Sequence, residues 1–520
     1  MSFSLLVLIA IFIIILTHYL WIWSYWIRRG VKGPRGIPFL GVMHLTQSYD
    51  FPLFRWLIDW TKQYGTIYGI TEGTAKILVV SDPEIIHEVF VKQFDNFYGR
   101  KLNPIQGDPN QNKRVHLVDA EGHRWKRLRN FSSPTFSNKN LKKIMSTVEE
   151  SVTEVMRFLD KDGAGGKTLN ILEYYQEFTM DIIGKIAMGQ TESIMFKNPL
   201  LPKVKMFFGD GSNRAFFISG MFPVIGTIFH RLFSLFPTLQ PDFEMMDMIE
   251  KAVNARIEQR KADERSGIEV SGKPQDFIDL FLDARADVDF FDQEAKDDFA
   301  KTRINKVDKN LTLDEIVGQL NVFLLAGYDT TALSLSYTSF LLATHPEVQK
   351  KVQEEVDREC PDPEVTFDQL SKLKYMECVV KEALRVYPLA SQIHNRKCLK
   401  ATTVCGIQID EGTYVMVDTW TMQNDPKIWG DDVKEFKPER WESGDEQFFQ
   451  KGGYLPFGLG PRICIGMRLA LMEEKMLLTQ ILKKYTFETC SETVTPLDMV
   501  GRATISPRTL NMKLKPRHFD

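Results

Sequence analysis

The sequence predicts a mainly α-helical fold with small β-sheets, an α+β architecture, preceded by an N-terminal transmembrane helix. Three observations carry this prediction. Residues 1–27 contain no Asp, Glu, Lys or Arg. An apolar-periodic run of helix type extends from Thr312 to about Ala343. Strand-like segments are short and cluster at 66–80 and 404–417.

The N-terminal element comes first. Leu5 to Leu16 are twelve consecutive apolar residues, and the apolar stretch continues through Tyr19, Trp21, Trp23 and Trp26 to Ile27. Roughly 23 residues at 1.5 Å each span about 34 Å, enough for a bilayer core. The aromatic residues at its end suit an interfacial belt. A cleaved signal peptide needs a basic start, a shorter apolar run and small residues at a cleavage site, and none is present. Arg28, Arg29, Lys32 and Arg35 follow, and the first acid is Asp50. Positive residues stay cytoplasmic. The expectation is a single-pass anchor in the endoplasmic reticulum membrane, with the remaining chain in the cytosol. Gly33, Pro34, Gly36 and Pro38 predict a stiff hinge over 28–40. No internal repeat or long linker divides 41–520, which reads as one domain.

Within it, strands are expected at 66–71 and 75–80, with Gly73 as the turn. Thr312 and Glu315 form a capping box that opens a helix of roughly 32 residues, about 48 Å long. Apolar along its whole length, such a helix must cross the centre of a globule. Pro346 opens the next helix at its first turn. A further helix is expected over 364–388, and strands return at 404–417 around a turn at Asp410-Glu411-Gly412. Residues 206–237 are Phe-rich yet broken by Gly and Pro. Two readings stay open there: a buried helix pair, or a surface that dips into the membrane or covers an apolar pocket.

Composition narrows the function. The 65 basic and 68 acidic residues give a net charge of −3, which argues against a strongly basic nucleic-acid binder. Six cysteines, at 360, 378, 398, 405, 464 and 490, contain no CxxC pair and suit neither a disulfide framework nor a zinc cluster. Five have ordinary contexts; Cys378 lies on a helical apolar face and Cys405 in a strand. Cys464 differs. It sits in Phe457-Gly458-Leu459-Gly460-Pro461-Arg462-Ile463-Cys464-Ile465-Gly466, directly before an amphipathic helix. Orphan N–H groups at a helix N-terminus stabilise a thiolate. Glycine permits a flat ligand to approach the backbone closely. An isolated thiolate suits the single proximal ligand of a haem. Gly163 to Thr168 imitates a phosphate loop, but position 161 is Lys where the pattern demands Gly, so it reads as a surface loop.

The Cys464 loop resembles the F-x-x-G-x-R-x-C-x-G loop of the cytochrome P-450 family. Glu382-Ala383-Leu384-Arg385 is similar to the family's E-x-x-R. Phe436 to Trp441 is similar to its P-E-R-F region, and Ala326-Gly327-Tyr328-Asp329-Thr330-Thr331 to its A-G-x-D/E-T-T. Trp125 and Arg129 match W-x-x-x-R. The resemblance covers the whole chain, and its nearest flavour is the microsomal clan of vertebrate 3A-type and nematode 13A-type enzymes. It implies heme b (iron-protoporphyrin IX) lying between the long central helix and the helix after Cys464.

Several roles follow from that resemblance. Cys464 is the metal ligand. Phe457, Gly466, Ala326 and Gly327 border the cofactor, and Trp125, Arg129, Arg396 and Arg462 serve its propionates. Glu382, Arg385 and Arg440 form a structural charge network. Asp329 and Thr330 are the catalytic proton relay, helped by a helix bulge at Gly327. The implied activity is a haem-thiolate monooxygenase that inserts one atom of O2 into a small hydrophobic substrate. Its electrons come from NADPH through a separate NADPH-cytochrome reductase, with cytochrome b5 as a further donor. Lys126 and Arg127 would face that partner. The pocket is expected from 103–118, 206–237, the helix near Phe323 and Ala326, 389–394 and 497–505. No role is assigned to Gln423. The rivals are a haem-thiolate isomerase or dehydratase and a non-enzymatic membrane haem protein.

Overall fold

The computed structural model describes residues 3–209, 214–236, 238, 243–266, 276–286, 311–442 and 452–517. Residues 210–213 and 237 of the Phe-rich segment lie outside the described residues.

The apolar N-terminus forms one helix, Phe3–Trp23, with most of its side chains exposed. It ends earlier than expected. After Ser24 a short helix, Tyr25–Arg28, turns back onto the globule. Tyr25 and Trp26 are buried there, and the Trp26 indole N–H donates to the Ile70 carbonyl at 2.9 Å. Trp26 is therefore a core residue and no member of an interfacial belt. Composition cannot separate these cases, because an aromatic ring with a polar edge suits either setting. The 28–40 segment is docked as well: Gly69 N–H donates to the Lys32 carbonyl, and Ile37 pairs with Gly41. Gly69 must be glycine here, since a Cβ would lie 2.2 Å from the Trp26 ring.

The main sheet contains β1 (Ile67–Glu72), β2 (Ala75–Val80), β4 (Asn395–Lys397) and β7 (Tyr414–Val417), in the order β1-β2-β7-β4. β1 and β2 form the expected hairpin, with Gly73 at φ 58°. Strand β7 runs parallel to β2 and antiparallel to β4, with Arg396 opposite Val415. A second sheet joins β3 (Leu169–Asn170), β11 (Asn511–Pro516) and β8 (Tyr485–Glu488). The pair β9 (Met499–Val500) and β10 (Ser506–Pro507) stands apart.

The 404–417 region departs from the simple expectation. β5 (Thr402–Val404) and β6 (Ile407–Ile409) pair through a two-residue turn at Cys405 and Gly406, both at positive φ. Cys405 is thus an exposed turn residue, not a strand residue. The 410–412 turn leads from β6 into a different sheet.

The central helix, Leu313–Thr344, has 32 residues and the expected capping box of Thr312 with Glu315. Next come Pro346–Glu359 and then two helices where one was expected, Phe367–Leu370 and Lys374–Val386. The break has a tertiary cause. The Glu355 carboxylate accepts the N–H groups of Tyr375 and Met376, capping the second helix from outside its own segment. The Met467–Lys484 helix after Cys464 forms as expected. It meets the central helix where Ser334 and Thr338 donate to the Glu474 carboxylate, at 2.8 and 2.9 Å. Burial pushes that carboxyl up to about 7.

Candidate active site

Cys464 occupies a loop held by its own backbone. Its N–H donates to the Phe457 carbonyl at 2.8 Å. Gly458 and Gly460 lie at φ 78° and 73°, and a Cβ on Gly460 would sit 2.2 Å from the Phe90 carbonyl. Gly466 is the N-cap of the following helix. It has ordinary φ, and a Cβ there would meet only Phe136, at 3.8 Å. The Cys464 thiol lies deep in the molecule yet has accessible surface, so it faces an interior space. Burial pushes its pKa up, while the N–H groups of Gly466 and Met467 and the Arg129 cation act in the opposite direction. The helix N-terminus favours the thiolate, but burial outweighs it.

The central helix supplies another open surface. From Glu315 to Ala343 every residue is buried except Ala326, Gly327 and Thr330. These three share one face, one turn before Ser334 at the crossing with the Cys464 helix. The helix is α-helical throughout, so the expected bulge at Gly327 does not form. A Cβ on Gly327 would press on Ile183 at 3.1 Å, so the glycine serves close packing. Thr330 Oγ1 donates to the Ala326 carbonyl at 2.6 Å, as mid-helix threonines do. Asp329 is buried and accepts from Thr504 Oγ1 at 2.5 Å and Gln176 Nε2 at 3.2 Å. Burial raises its pKa, with both donors opposing. The two proposed relay residues therefore lie on different faces. Phe323 packs against Phe136, Phe277 and Phe281.

A cationic cluster lies beside this space. Arg396 and Arg462 are buried, and burial together with nearby Arg100 holds both pKa values well below the usual arginine range. Arg100 itself is lowered to about 10 by burial. Arg462 donates to the carbonyls of Val118 and Ala120 and lies 4.7 Å from the Trp125 ring centre. Arg396 lies 4.1 Å from that of Phe90. The Nε atoms of Arg100, Arg396 and Arg462 are buried without a partner, and none of these arginines forms an ion pair among the described residues. Gathered cations with spare donors call for a buried polyanion. The two carboxylates of a haem fit that demand. Arg129 is positioned to act on Cys464 and Arg462 together.

Arg100 was not legible beforehand. Its neighbourhood depends on Asn395, whose carbonyl it approaches at 3.4 Å from 295 positions away. The Arg127 guanidinium pairs with Glu315, as does that of Arg124.

The charge network is complete. Arg385 grips Glu382 through two bonds of 2.8 and 2.9 Å, and Arg440 Nε adds a third at 2.9 Å. Lys437 N–H and the Trp441 indole also donate to this carboxylate. Glu382 and Arg385 are fully buried. Gln423 extends the network. Its amide donates to the carbonyls of Leu384 and Arg385, and its oxygen accepts Leu455 N–H at the approach to the Cys464 loop.

Fold and site together define a haem-thiolate oxidoreductase. The cytochrome P450 family model matches residues 31–515. Three Caenorhabditis elegans proteins, all named as cytochromes P450, are similar over their whole length. CYP13A5 is 70% identical over 518 residues and covers 100% of both chains. CYP13A7 is 70% identical over 517 residues, covering 99% of this chain and 100% of its own. CYP13A10 is 55% identical over 521 residues, with coverage of 99% and 100%. The chain belongs to the cytochrome P450 family and is a haem-dependent monooxygenase.

Proposed function

We propose that this protein inserts one oxygen atom of O2 into a small hydrophobic substrate at heme b, with NADPH electrons delivered by a separate membrane reductase, assisted by cytochrome b5. The observation that carries this reading is a pair of open surfaces: Cys464, and the Ala326-Gly327-Thr330 face of an otherwise buried central helix. When bound, the haem would supply oxygen activation, and its thiolate ligand would favour O–O cleavage. The chain's own residues do the remaining work. Cys464 supplies the ligand sulfur. Arg100, Arg129, Arg396, Arg462 and Trp125 hold the propionate side. The small, apolar Ala326 would border the cofactor on the open face of the central helix.

Thr330 Oγ is the polar atom on that face, and its role is to position the proton that oxygen activation consumes. Asp329, on a different face of the helix, is held by Thr504 and Gln176 and is not bonded to Thr330 among the described residues. Thr330→Ala is expected to keep NADPH consumption while product falls and hydrogen peroxide rises, roughly tenfold or more in their ratio, as loss of a positioned proton donor implies. Unchanged coupling, read by titrating NADPH, peroxide and product together, would count against the relay.

We place the protein on the endoplasmic reticulum membrane by a single N-terminal span, with 41–520 as one cytosolic domain. The Phe-rich segment supports this placement. Val224, Ile228, Leu232 and Leu235 form one exposed apolar stripe on the Pro223–Leu235 helix. The neighbouring helix, Arg214–Met221, meets the anchor directly, since Tyr19 OH donates to the Met221 carbonyl at 2.8 Å. This stripe is the surface proposed to dip into the bilayer. Removing residues 1–22 while sparing Tyr25 and Trp26 should leave a folded holoprotein bound peripherally to membranes. Complete recovery in the supernatant after low-salt fractionation would overturn the dipping surface.

A further inference from the structure

A cavity of about 500 Å³ lies at the junction of the anchor helix and the main sheet, remote from the Cys464 loop in sequence and in fold. Trp23, Trp26, Val31 and Tyr64 give it aromatic and apolar walls, and Lys32 and Arg35 join them. Its size falls in the roughly 300–1,000 Å³ range of small-ligand sites.

The charge around it is one-sided. Lys32 and Arg35 are exposed and form no ion pair among the described residues. The acids nearby are already engaged: Asp410 pairs with Arg29 at 2.5 Å, and Glu72 with Lys101. Trp23 adds an independent signal. Its indole N–H is buried and finds no acceptor among the described residues, an omission that costs free energy until an acceptor arrives. The cavity also adjoins the end of a 21-residue apolar helix whose side chains are mostly exposed. A ligand matching all of this carries a phosphate for the two cations and long apolar chains to lie along the helix.

From these features we infer that the cavity holds the headgroup of one anionic glycerophospholipid, with its acyl chains running beside Phe3–Trp23. The lipid fills the angle between anchor and globule and helps fix the tilt of the catalytic domain. This rests on the membrane placement proposed above. Each cation near an anionic lipid contributes ~1 kcal/mol, so two imply a preference of roughly 30-fold over a zwitterionic lipid.

The test uses the full-length holoprotein in phosphatidylcholine bilayers doped with brominated lipid, which quenches nearby tryptophan fluorescence. Brominated phosphatidylserine should quench at roughly 30-fold lower mole fraction than brominated phosphatidylcholine. The excess should vanish in Lys32→Ala/Arg35→Ala. Equal quenching by the two lipids, or a preference that persists in the double variant, would overturn the proposal. Loss of the preference in millimolar inorganic phosphate would reassign the site to free phosphate and overturn the lipid assignment. Alkaline carbonate extraction separates the underlying placement. Release of the chain would overturn both readings, whereas retention with equal quenching overturns the lipid site alone.

Discussion

Cys464→Ser is expected to abolish the red-shifted Soret band that a ferrous haem-thiolate shows with carbon monoxide. The substitution is small, and the loop that holds the residue does not depend on sulfur. Position 464 keeps its N–H bond to the Phe457 carbonyl, and Gly458 and Gly460 keep their left-handed conformations. A serine oxygen can still accept from Gly466 and Met467. It cannot become a thiolate near neutral pH, so the electron-rich ligand is lost while the fold remains. The propionate cluster of Arg100, Arg396 and Arg462 is untouched, so pigment can still bind. Haem content is therefore measured separately, by pyridine haemochrome, beside the carbon monoxide difference spectrum. Survival of the red-shifted band would sink the assignment of Cys464 as ligand.

The second large effect belongs to Arg385→Leu. Glu382 would remain fully buried, with its two bonds from Arg385 gone and only Arg440, Lys437 N–H and Trp441 left to hold it. Arg385 also ties the carbonyls of Gln423 and Glu435, which would lose those donors. Stranding one partner of a buried pair costs about 3–5 kcal/mol, a large part of a typical folding free energy. The expected outcome is poor recovery of haem-loaded protein and a strongly lowered melting temperature. Adding Glu382→Leu in the same chain removes the stranded charge and should restore part of that loss. A single variant melting like wild type would show that the network does not hold the Cys464 loop.

Much of the site was readable because its parts are local in the chain. The Cys464 loop carries its glycines, proline, cysteine and following helix within a few residues. The capping box at Thr312 and Glu315 and the hairpin at Gly73 are likewise complete in short stretches. Readings failed where a residue's partner lies far away. Trp26 has the composition of a membrane-interface residue, yet Ile70 and Gly69 make it core. The helix expected over 364–388 breaks because Glu355 caps its second half. Gln423 carries no motif signal, and only its bonds to Leu384, Arg385 and Leu455 reveal that it joins the charge network to the cysteine loop.

The sequence by itself determined the haem-thiolate chemistry, the central helix and the apolar anchor, since each rests on short-range periodicity or on adjacent residue types. Tertiary structure decided which arginines converge, which way Asp329 turns and how the anchor meets the globule. Arg100, Arg396 and Arg462 become one anion-binding cluster only when the β4 strand, the loop after residue 99 and the cysteine loop are packed together. Likewise, Asp329 is drawn to Thr504 and Gln176 because a buried carboxyl takes the nearest donors, and those donors arrive from other parts of the chain.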